Sequence, residues 1–385
     1  MKTILIIEDD KVVASIYEKK FQQAGFEVEC VHDGQEGFYR LHAPELSTKL
    51  TALVLDLMLP HIGGLDILKK IRAQKRFDAL PVFVLTNAFL GEVGHEAQKA
   101  GATHIFNKAT TTPKKLVEQI QSLLSKDGEA AWLEAPPGFQ PSNPNAGAEQ
   151  TIPGMIEQAR KCVQALGKTI DPAVRQTLLL DLIKLTHGVT SRASVGGMAT
   201  AAHVSSALEA FLNELGNRIT ELNPSTQHTI SMAVDFIAGV CRTPDHTEAV
   251  ASESFNILVV DDERFSRHAA SHALNKAGLK PLVTSLPSVA LQLAMENKLD
   301  LVVSDVDMPG LNGFELCKRI HTTPENHDTP VVFVTGLTDF ESGVQAASSG
   351  GNDLIAKPFL PMELGLKALM LLHRQKLARK NANSL

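Results

Sequence analysis

Over residues 1–110 and again over 255–360, short β-branched and aliphatic runs alternate with stretches whose apolar positions recur every three to four residues. In the first of these regions TILII, EVECV, ALVLD, PVFVL and HIFNK read as strands, with amphipathic helical patterns between them. Strands that are apolar at nearly every position need cover on both faces, which a parallel sheet wrapped by crossover helices provides. The pattern therefore predicts an open α/β domain of about 120 residues.

The same domain is predicted a second time, because the chain repeats itself. TILIIEDD returns as NILVVDDE at 256–263, and LVLDLMLPHIGGLDIL at 53–68 as VVSDVDMPGLNGFELC at 302–317. PVFVLTN (81–87) matches PVVFVTG (330–336), and HIFNK (104–108) matches DLIAK (353–357). The intervals agree as well. Asp56 to Thr86 and Asp305 to Thr335 are both 30 residues, and Thr86 to Lys108 and Thr335 to Lys357 are both 22. Only the first interval differs: Asp9 to Asp56 is 47 and Asp262 to Asp305 is 43, because HAPELSTK lengthens the first copy before its third strand.

Between the copies the period changes. Residues 126–150, with APPGFQPSNPNAG, have the Pro, Gly and Asn content of a linker, which Trp132 is placed to dock. From 151 to 242 only helical periodicity is found, in GMIEQARKCVQAL, DPAVRQTLLLDLIKLTHGV, MATAAHVSSALEAFLNELGNRI and TQHTISMAVDFIAGVC. Asp171-Pro172 and Pro224-Ser225 mark helix starts, and the short connections predict an antiparallel four-helix bundle. TPDHTEAVASES (243–254) then links to the second copy. The expected plan is thus 1–125, a linker at 126–150, helices at 151–242, a linker at 243–254, and 255–380.

Composition narrows the function. A length of 385 residues suits two or three domains, and 44% hydrophobic with 21% charged residues is a soluble globular balance. The net charge of −6 gives no footprint for direct nucleic-acid binding. MKTILIIEDD is too short and too acidic for a signal peptide or a membrane span, so a cytoplasmic protein is expected. Cys30, Cys162, Cys241 and Cys317 are far apart with no CxxC pair, which predicts buried or idle thiols.

In open parallel sheets the chemistry lies beyond the carboxyl ends of the strands. Glu8, Asp9, Asp56, Thr86 and Lys108 fall there in the first copy, and Asp261, Asp262, Asp305, Thr335 and Lys357 in the second. Clustered carboxylates repel unless a cation neutralises them. All-oxygen ligands with open positions suit Mg²⁺, which keeps waters and accepts phosphate oxygens. An aspartate beside such an ion can attack phosphorus, while a lysine and a threonine hydroxyl steady the transferring group.

These motifs resemble the receiver domain of two-component response regulators, over roughly 1–125 and 254–380. The resemblance implies two flavodoxin-like, doubly wound parallel sheets, with Asp56 and Asp305 as phosphoacceptors. Glu8, Asp9, Asp56 and the Met58 carbonyl would hold the metal in one copy, and Asp261, Asp262, Asp305 and the Asp307 carbonyl in the other. Thr86 and Thr335 would be the switch hydroxyls, and Lys108 and Lys357 the phosphate-binding lysines. Two features depart from the family. Lys108 is followed by Ala109 where Lys357 precedes Pro358, and the usual aromatic three residues before each lysine is replaced by Ile105 and Leu354.

The helical middle resembles a histidine-containing phosphotransfer domain around His187. That family carries Lys and Gly at three and four residues after an exposed histidine, a further glycine at ten, and Leu-Glu at twenty-one and twenty-two. Gly197, Leu208 and Glu209 stand at the last three places, but Thr190 and Ser191 occupy the first two. Small residues (Gly188, Ser191, Ala193, Ser194, Gly197) keep the helix surface low enough for an incoming aspartate, although Gly188 costs about 1 kcal/mol of helix stability. Lys184 and Arg192 are the candidates to replace the missing lysine, with Lys184 better placed at i−3. His203 lacks the motif.

Two readings of His187 stand: a phosphoryl carrier, or an incidental side chain in an inert bundle. The leading expectation is a phosphorelay response regulator, not an enzyme, in which His187 shuttles phosphate between Asp56, Asp305 or partners. Its donor would be a sensor histidine kinase or phosphotransfer protein, and its output a downstream protein partner. Alternatives are a receiver-based interaction or homodimerisation regulator, and the regulatory half of a truncated enzyme such as a diguanylate cyclase. The last would be supported by coding sequence beyond Leu385, after the basic end ALMLLHRQKLARKNANSL.

Overall fold

The computed structural model describes residues 2–43, 46, 49–87, 92–125, 151–216, 218, 221–242, 255–336, 346 and 348–383. The linker at 126–150 with Trp132, and the linker at 243–254, lie outside the described residues.

The first α/β region contains β1 (Thr3–Ile7), α1 (Lys11–Gln23), β2 (Glu27–Val31), α2 (Gly34–Leu41), β3 (Leu50–Asp56) and α3 (Gly64–Arg72), followed by β4 (Val82–Thr86), α4 (Glu92–Lys99), β5 (His104–Asn107) and α5 (Pro113–Ser125). Its strands are all parallel in the order β2-β1-β3-β4-β5. Side chains alternate across a strand, so each strand feeds two cores. Ile4, Ile6, Val54, Phe83 and Leu85 pack with Val13, Tyr17, Phe21, Leu116 and Ile120 of α1 and α5. Leu5, Ile7, Leu53, Leu55 and Val84 pack with Leu41, Ile67, Leu68 and Ile71 of α2 and α3. Each of these large aliphatic side chains contributes about 1.5–3 kcal/mol by leaving water.

Four helices follow: α6 (Ile152–Leu166), α7 (Pro172–Val195), α8 (Ala199–Gly216) and α9 (Pro224–Arg242). Each of the four predicted stretches contains one of these helices. Asp171 caps α7, its carboxylate accepting from the Ala173 amide at 2.8 Å. Gly197, with φ of +75°, makes the turn into α8, where the Met198 amide donates to the Ala193 carbonyl.

The second α/β region repeats the first: β6 (Ile257–Val260), α10 (Arg264–Lys276), β7 (Pro281–Thr284), α11 (Pro287–Glu296), β8 (Leu301–Asp305), α12 (Gly313–His321), β9 (Val331–Thr335), β10 (Asp353–Ala356) and α13 (Pro361–Asn383). Its parallel order, β10-β9-β8-β6-β7, is the first order read backwards. Leu258, Val260, Val302, Val331 and Phe333 pack with Ala290, Leu316, Cys317 and Ile320 of α11 and α12.

The chain divides into two compact units, and the helical middle is shared between them. One unit holds Met1–Gln158, Lys184–Ser206 and Val240–Val250. The other holds Ala159–Ile183, Ala207–Gly239 and Ala251–Leu385. The second half of α7 and the start of α8 thus belong with the first sheet. Within the second unit, the buried Glu363 of α13 accepts from Ser225 and Thr229 of α9, at 3.2 and 3.1 Å. The four cysteines are free thiols, with Cys317 buried. Among the described residues no helix is long and apolar enough to cross a membrane.

Candidate functional site

Strand ends gather the predicted polar residues at the carboxyl rim of each sheet. The Lys108 amide donates to the Thr86 carbonyl, and the Lys357 amide to the Thr335 carbonyl, both at 2.8 Å. The fixed interval of 22 residues is therefore a register. It places the lysine of the fifth strand beside the threonine of the fourth. A second shared device lies eight residues after each central aspartate. A Cβ on Gly64 would fall 1.9 Å from the Asp56 carbonyl oxygen, and one on Gly313 would fall 2.0 Å from that of Asp305. Only glycine lets the next helix start against the strand end that bears the aspartate.

In the first unit Asp56 is fully buried, with its Oδ2 2.7 Å from the Lys108 ammonium. The Met58 amide donates to Asp56 Oδ1 at 3.2 Å. Burial alone would push the Asp56 carboxyl up, but the Lys108 ammonium and then His187 hold it well below the ordinary range. Lys108 is likewise buried; Asp56 and Glu8 overcome that burial and raise it well above the ordinary lysine value. Glu8 is turned inward, 2.7 Å from Lys108, and burial lifts its carboxyl to about 8 despite that contact. Thr86 is buried at the same rim and Met58 is exposed.

The third group beside Asp9 and Asp56 is His187. Its Nε2 lies 3.6 Å from Asp56 Oδ2. The ligand atoms of Asp9, Asp56 and His187 fall within 4.8 Å of one another. The expectation of an exposed histidine is corrected here: His187 is only 7% exposed. Its helix face lies against the rim of the first sheet. Arg192 pairs with Asp10 at 2.8 Å, the Ser194 hydroxyl donates to the Lys108 carbonyl, and the Ser206 hydroxyl donates to the Asn87 carbonyl. Ala109 packs with Ala193, Ala201 and Ala202.

The small residues around His187 have separate reasons. A Cβ on Gly188 would lie 3.0 Å from the Met155 methyl of α6. Thr190 is buried and donates to the Thr186 carbonyl, 3.0 Å from the Ser205 hydroxyl. Lys184 is exposed on α7, and Arg192 is engaged with Asp10. Among the described residues, the cation beside the imidazole–carboxylate gap is Lys108, on the same Asp56 oxygen that His187 faces. His203 is half-buried, and burial lowers its imidazole to about 4.

The second unit is more open. Lys357 reaches Asp261 at 2.9 Å and Asp305 at 3.1 Å, and its side chain is 19% exposed against 1% for Lys108. Burial pushes both carboxyls up although Lys357 opposes it. Asp262 and Asp307 are exposed, and Thr335 is buried. Asp261, Asp262 and Asp305 present three oxygens within 4.8 Å of one another. The peptide bond between Lys357 and Pro358 is cis.

Sequence reasoning missed Asn87, Asp10 and the hydroxyls of Ser194 and Ser206 as contacts of the histidine helix. The signal for Asn87 was present, since TN in one copy stands where TG stands in the other.

Two doubly wound parallel sheets, each with a lysine, a threonine and clustered acids at the rim, define a class. The chain belongs to the response regulator receiver domain family, whose model matches residues 4–121 and 257–368, more than half of its length. It has two flavodoxin-like receiver domains with a helical region between them. Among curated proteins it is similar to the transcriptional regulatory protein YvrH of Bacillus subtilis, at 34% identity over 116 residues, or 30% of this chain and 48% of that one. The phosphate regulon transcriptional regulatory protein PhoB of Pseudomonas aeruginosa is 32% identical over 118 residues, or 31% of this chain and 52% of that one. The chain spans about half the length of these relatives. Among solved structures, chemotaxis protein CheY4 of Vibrio cholerae is 31% identical, with a TM-score of 0.30, covering 31% of this chain and 99% of that one.

Mg²⁺ is the metal that the acidic rims fit. Three converging carboxylate oxygens in the second receiver are the hard donor set Mg²⁺ takes. In the first, Asp9 and Asp56 offer the oxygens, His187 lies beside them without a ring nitrogen suited to Mg²⁺, and Glu8, expected among the ligands, faces Lys108 instead.

Proposed function

We propose that the chain is a phosphorelay response regulator that accepts phosphoryl groups on Asp56 and Asp305 and exchanges one between Asp56 and His187. The observation that carries this reading is the approach of His187 Nε2 to Asp56 Oδ2, 3.6 Å, beside the Lys108 ammonium. A histidine-bearing helix faces a receiver aspartate, as a phosphoryl carrier would.

On this reading Asp56 and Asp305 are the nucleophiles, and the transferring group is a spread anion that needs placing more than covalent help. Lys108 and Lys357 hold its oxygens electrostatically, and the hydroxyls of Thr86 and Thr335 donate to them. Asp9 with Asp56, and Asp261 and Asp262 with Asp305, would hold Mg²⁺ together with the carbonyls of Met58 and Asp307, while Glu8, expected among the ligands, pairs with Lys108; a bound ion would offset the charge of acids and phosphate. The resting gap at His187 is too short for a phosphorus atom in transit, so α7 withdraws by about 1 Å during exchange. Residues 151–242 act as a phosphotransfer-like helical region, and 1–125 and 255–380 as the receivers. The donor is a sensor histidine kinase or a phosphotransfer protein, and the output is a protein contact.

Acetyl phosphate with Mg²⁺ tests the acceptors. The intact mass should rise by about 80 Da per site. The gain shrinks in Asp56→Asn and in Asp305→Asn and disappears in the double variant; full labelling of the double variant refutes the assignment. Acid-labile, alkali-stable phosphate that vanishes in His187→Gln identifies the carrier. If that substitution leaves the phosphate distribution unaltered, the helical region serves docking alone.

A further inference from the structure

The rim of the first receiver carries a side chain that the second lacks. Thr86 and Thr335 close matching strands, but the next residue is Asn87 in one copy and Gly336 in the other. Asn87 is 1% exposed. Its Nδ2 lies 3.0 Å from His187 Nδ1, 3.4 Å from the His187 carbonyl oxygen and 3.2 Å from Ser191 Oγ. A backbone carbonyl only accepts, so the amide nitrogen, not its oxygen, must face the histidine. Asn87 Oδ1 has no hydrogen-bond partner among the described residues, which costs stability and gives no reason to turn the amide round. An imidazole nitrogen that accepts an N–H has its lone pair engaged. In the neutral ring the proton therefore sits on Nε2, the atom that faces Asp56.

We propose that Asn87 is a positioning residue that sets His187 to give a phosphoryl group to Asp56 rather than take one from it. The proposal rests on the phosphorelay reading and adds its direction. In the forward step the P–Nε2 bond breaks and a P–O bond forms at an Asp56 carboxylate oxygen. The electron pair stays on Nε2, which takes a proton from a water molecule, and the hydroxide so formed passes to bulk solvent and is neutralised by buffer. The Asn87 N–H on Nδ1 draws electron density from the ring, which weakens the P–N bond and stabilises the departing imidazole. The reverse step requires the Nε2 lone pair as nucleophile, and the tautomer held by Asn87 keeps a proton there. An acceptor at position 87 would do the opposite, holding the proton on Nδ1 and freeing Nε2 to attack. Ser191, standing where the phosphotransfer motif has glycine, supplies a second oxygen that holds the amide in place.

The test has two arms. In the first, ¹⁵N NMR of histidine-labelled full-length chain reads the His187 tautomer, assigned with His187→Gln. The expected result is Nε2–H in the wild-type chain, a mixture in Asn87→Ala and Nδ1–H in Asn87→Asp. In the second, phosphoramidate without Mg²⁺ loads His187 in an Asp305→Asn background, the donor is removed, Mg²⁺ is added, and acid and alkali lability follow transfer to Asp56, with His187→Gln reporting any direct labelling of the aspartate. Loss of one neutral hydrogen bond should slow that transfer about fivefold to tenfold in Asn87→Ala. Asn87→Asp should slow it further and leave more phosphate on histidine. Nδ1–H in the wild-type chain overturns the proposal, as does an Asn87→Ala variant that changes neither tautomer nor transfer. Absence of phosphohistidine even in Asp56→Asn, with the Nε2–H tautomer intact, overturns the relay and its direction while leaving the positioning by Asn87 standing.

Discussion

The two receivers share strand order, rim residues and helix-start glycines, yet their aspartates live in different surroundings. In the first, Lys108 is 1% exposed and lies between two buried carboxylates, Glu8 and Asp56, with a histidine-bearing helix face across the opening. In the second, Lys357 is 19% exposed, the neighbouring Asp262 is open to water, and three carboxylates converge on one point. The difference arises from few residues. Glu8 stands where Asp261 stands in the repeat, and each pairs with its lysine, at 2.7 and 2.9 Å, but only the Glu8 pair is sealed from water. Asp10 and Asn87, which grip α7, stand where Glu263 and Gly336 stand in the repeat. One fold therefore supports a sealed site and an open one through the contacts of a single helix face.

The largest effect should come from removing the buried cation. Lys108→Met leaves Glu8 and Asp56 buried together without a counter-charge and should destabilise the first receiver by about 3–5 kcal/mol. Lys357→Met, at a half-buried site, should cost the second about 1–2 kcal/mol. Urea unfolding followed by hydrogen exchange in each receiver separates the two, and equal losses would erase the contrast. Next come the shared glycines. Gly64→Ala and Gly313→Ala force a methyl onto a strand carbonyl in either copy and should each cost about 2–3 kcal/mol. Unequal costs there would show that the copies differ in backbone as well as in side chains.

A smaller effect, confined to the first unit, is set by pH. Burial keeps His203 neutral in the fold down to about 4, whereas its ordinary value is 6.5. Between those values the unfolded chain binds a proton that the folded chain does not. Stability is therefore full above about 6.5 and falls as pH drops towards 4, by about 1–2 kcal/mol at this half-buried ring. His203→Gln should flatten that slope in the first unit and leave the second unchanged. An unaltered slope would remove His203 as its source.

Most of this architecture was legible in the sequence. Both sheets, their strand-end residues and the four middle helices follow from apolar runs, period and repeat spacing, which are local signals. The cis bond at Lys357-Pro358 belongs with a motif whose Lys-Pro step was visible. Three things were not legible. The inward turn of Glu8 depends on Lys108, a hundred residues away in the chain. The burial of His187 depends on which surface its helix meets, and that half of α7 buries Thr186, Thr190, Ser191 and Ser194 beside it, polar residues that give no apolar signal. The motif lysine missing at Thr190 directed attention to Lys184 and Arg192, but the cation beside Asp56 among the described residues, Lys108, comes from another part of the fold. Asn87 lay in plain sight as a difference between copies, and a repeat is read most readily for what it keeps.

The contrast between a sealed and an open aspartate is tested most directly by a time course of acetyl phosphate labelling with Mg²⁺, read at each aspartate by peptide mass spectrometry. Docked α7 should make Asp305 label at least about tenfold faster than Asp56, a difference of about 1.4 kcal/mol in barrier, and Arg192→Ala should narrow that gap by loosening the contact with Asp10. Equal rates at the two aspartates, or faster labelling of Asp56, would contradict the account.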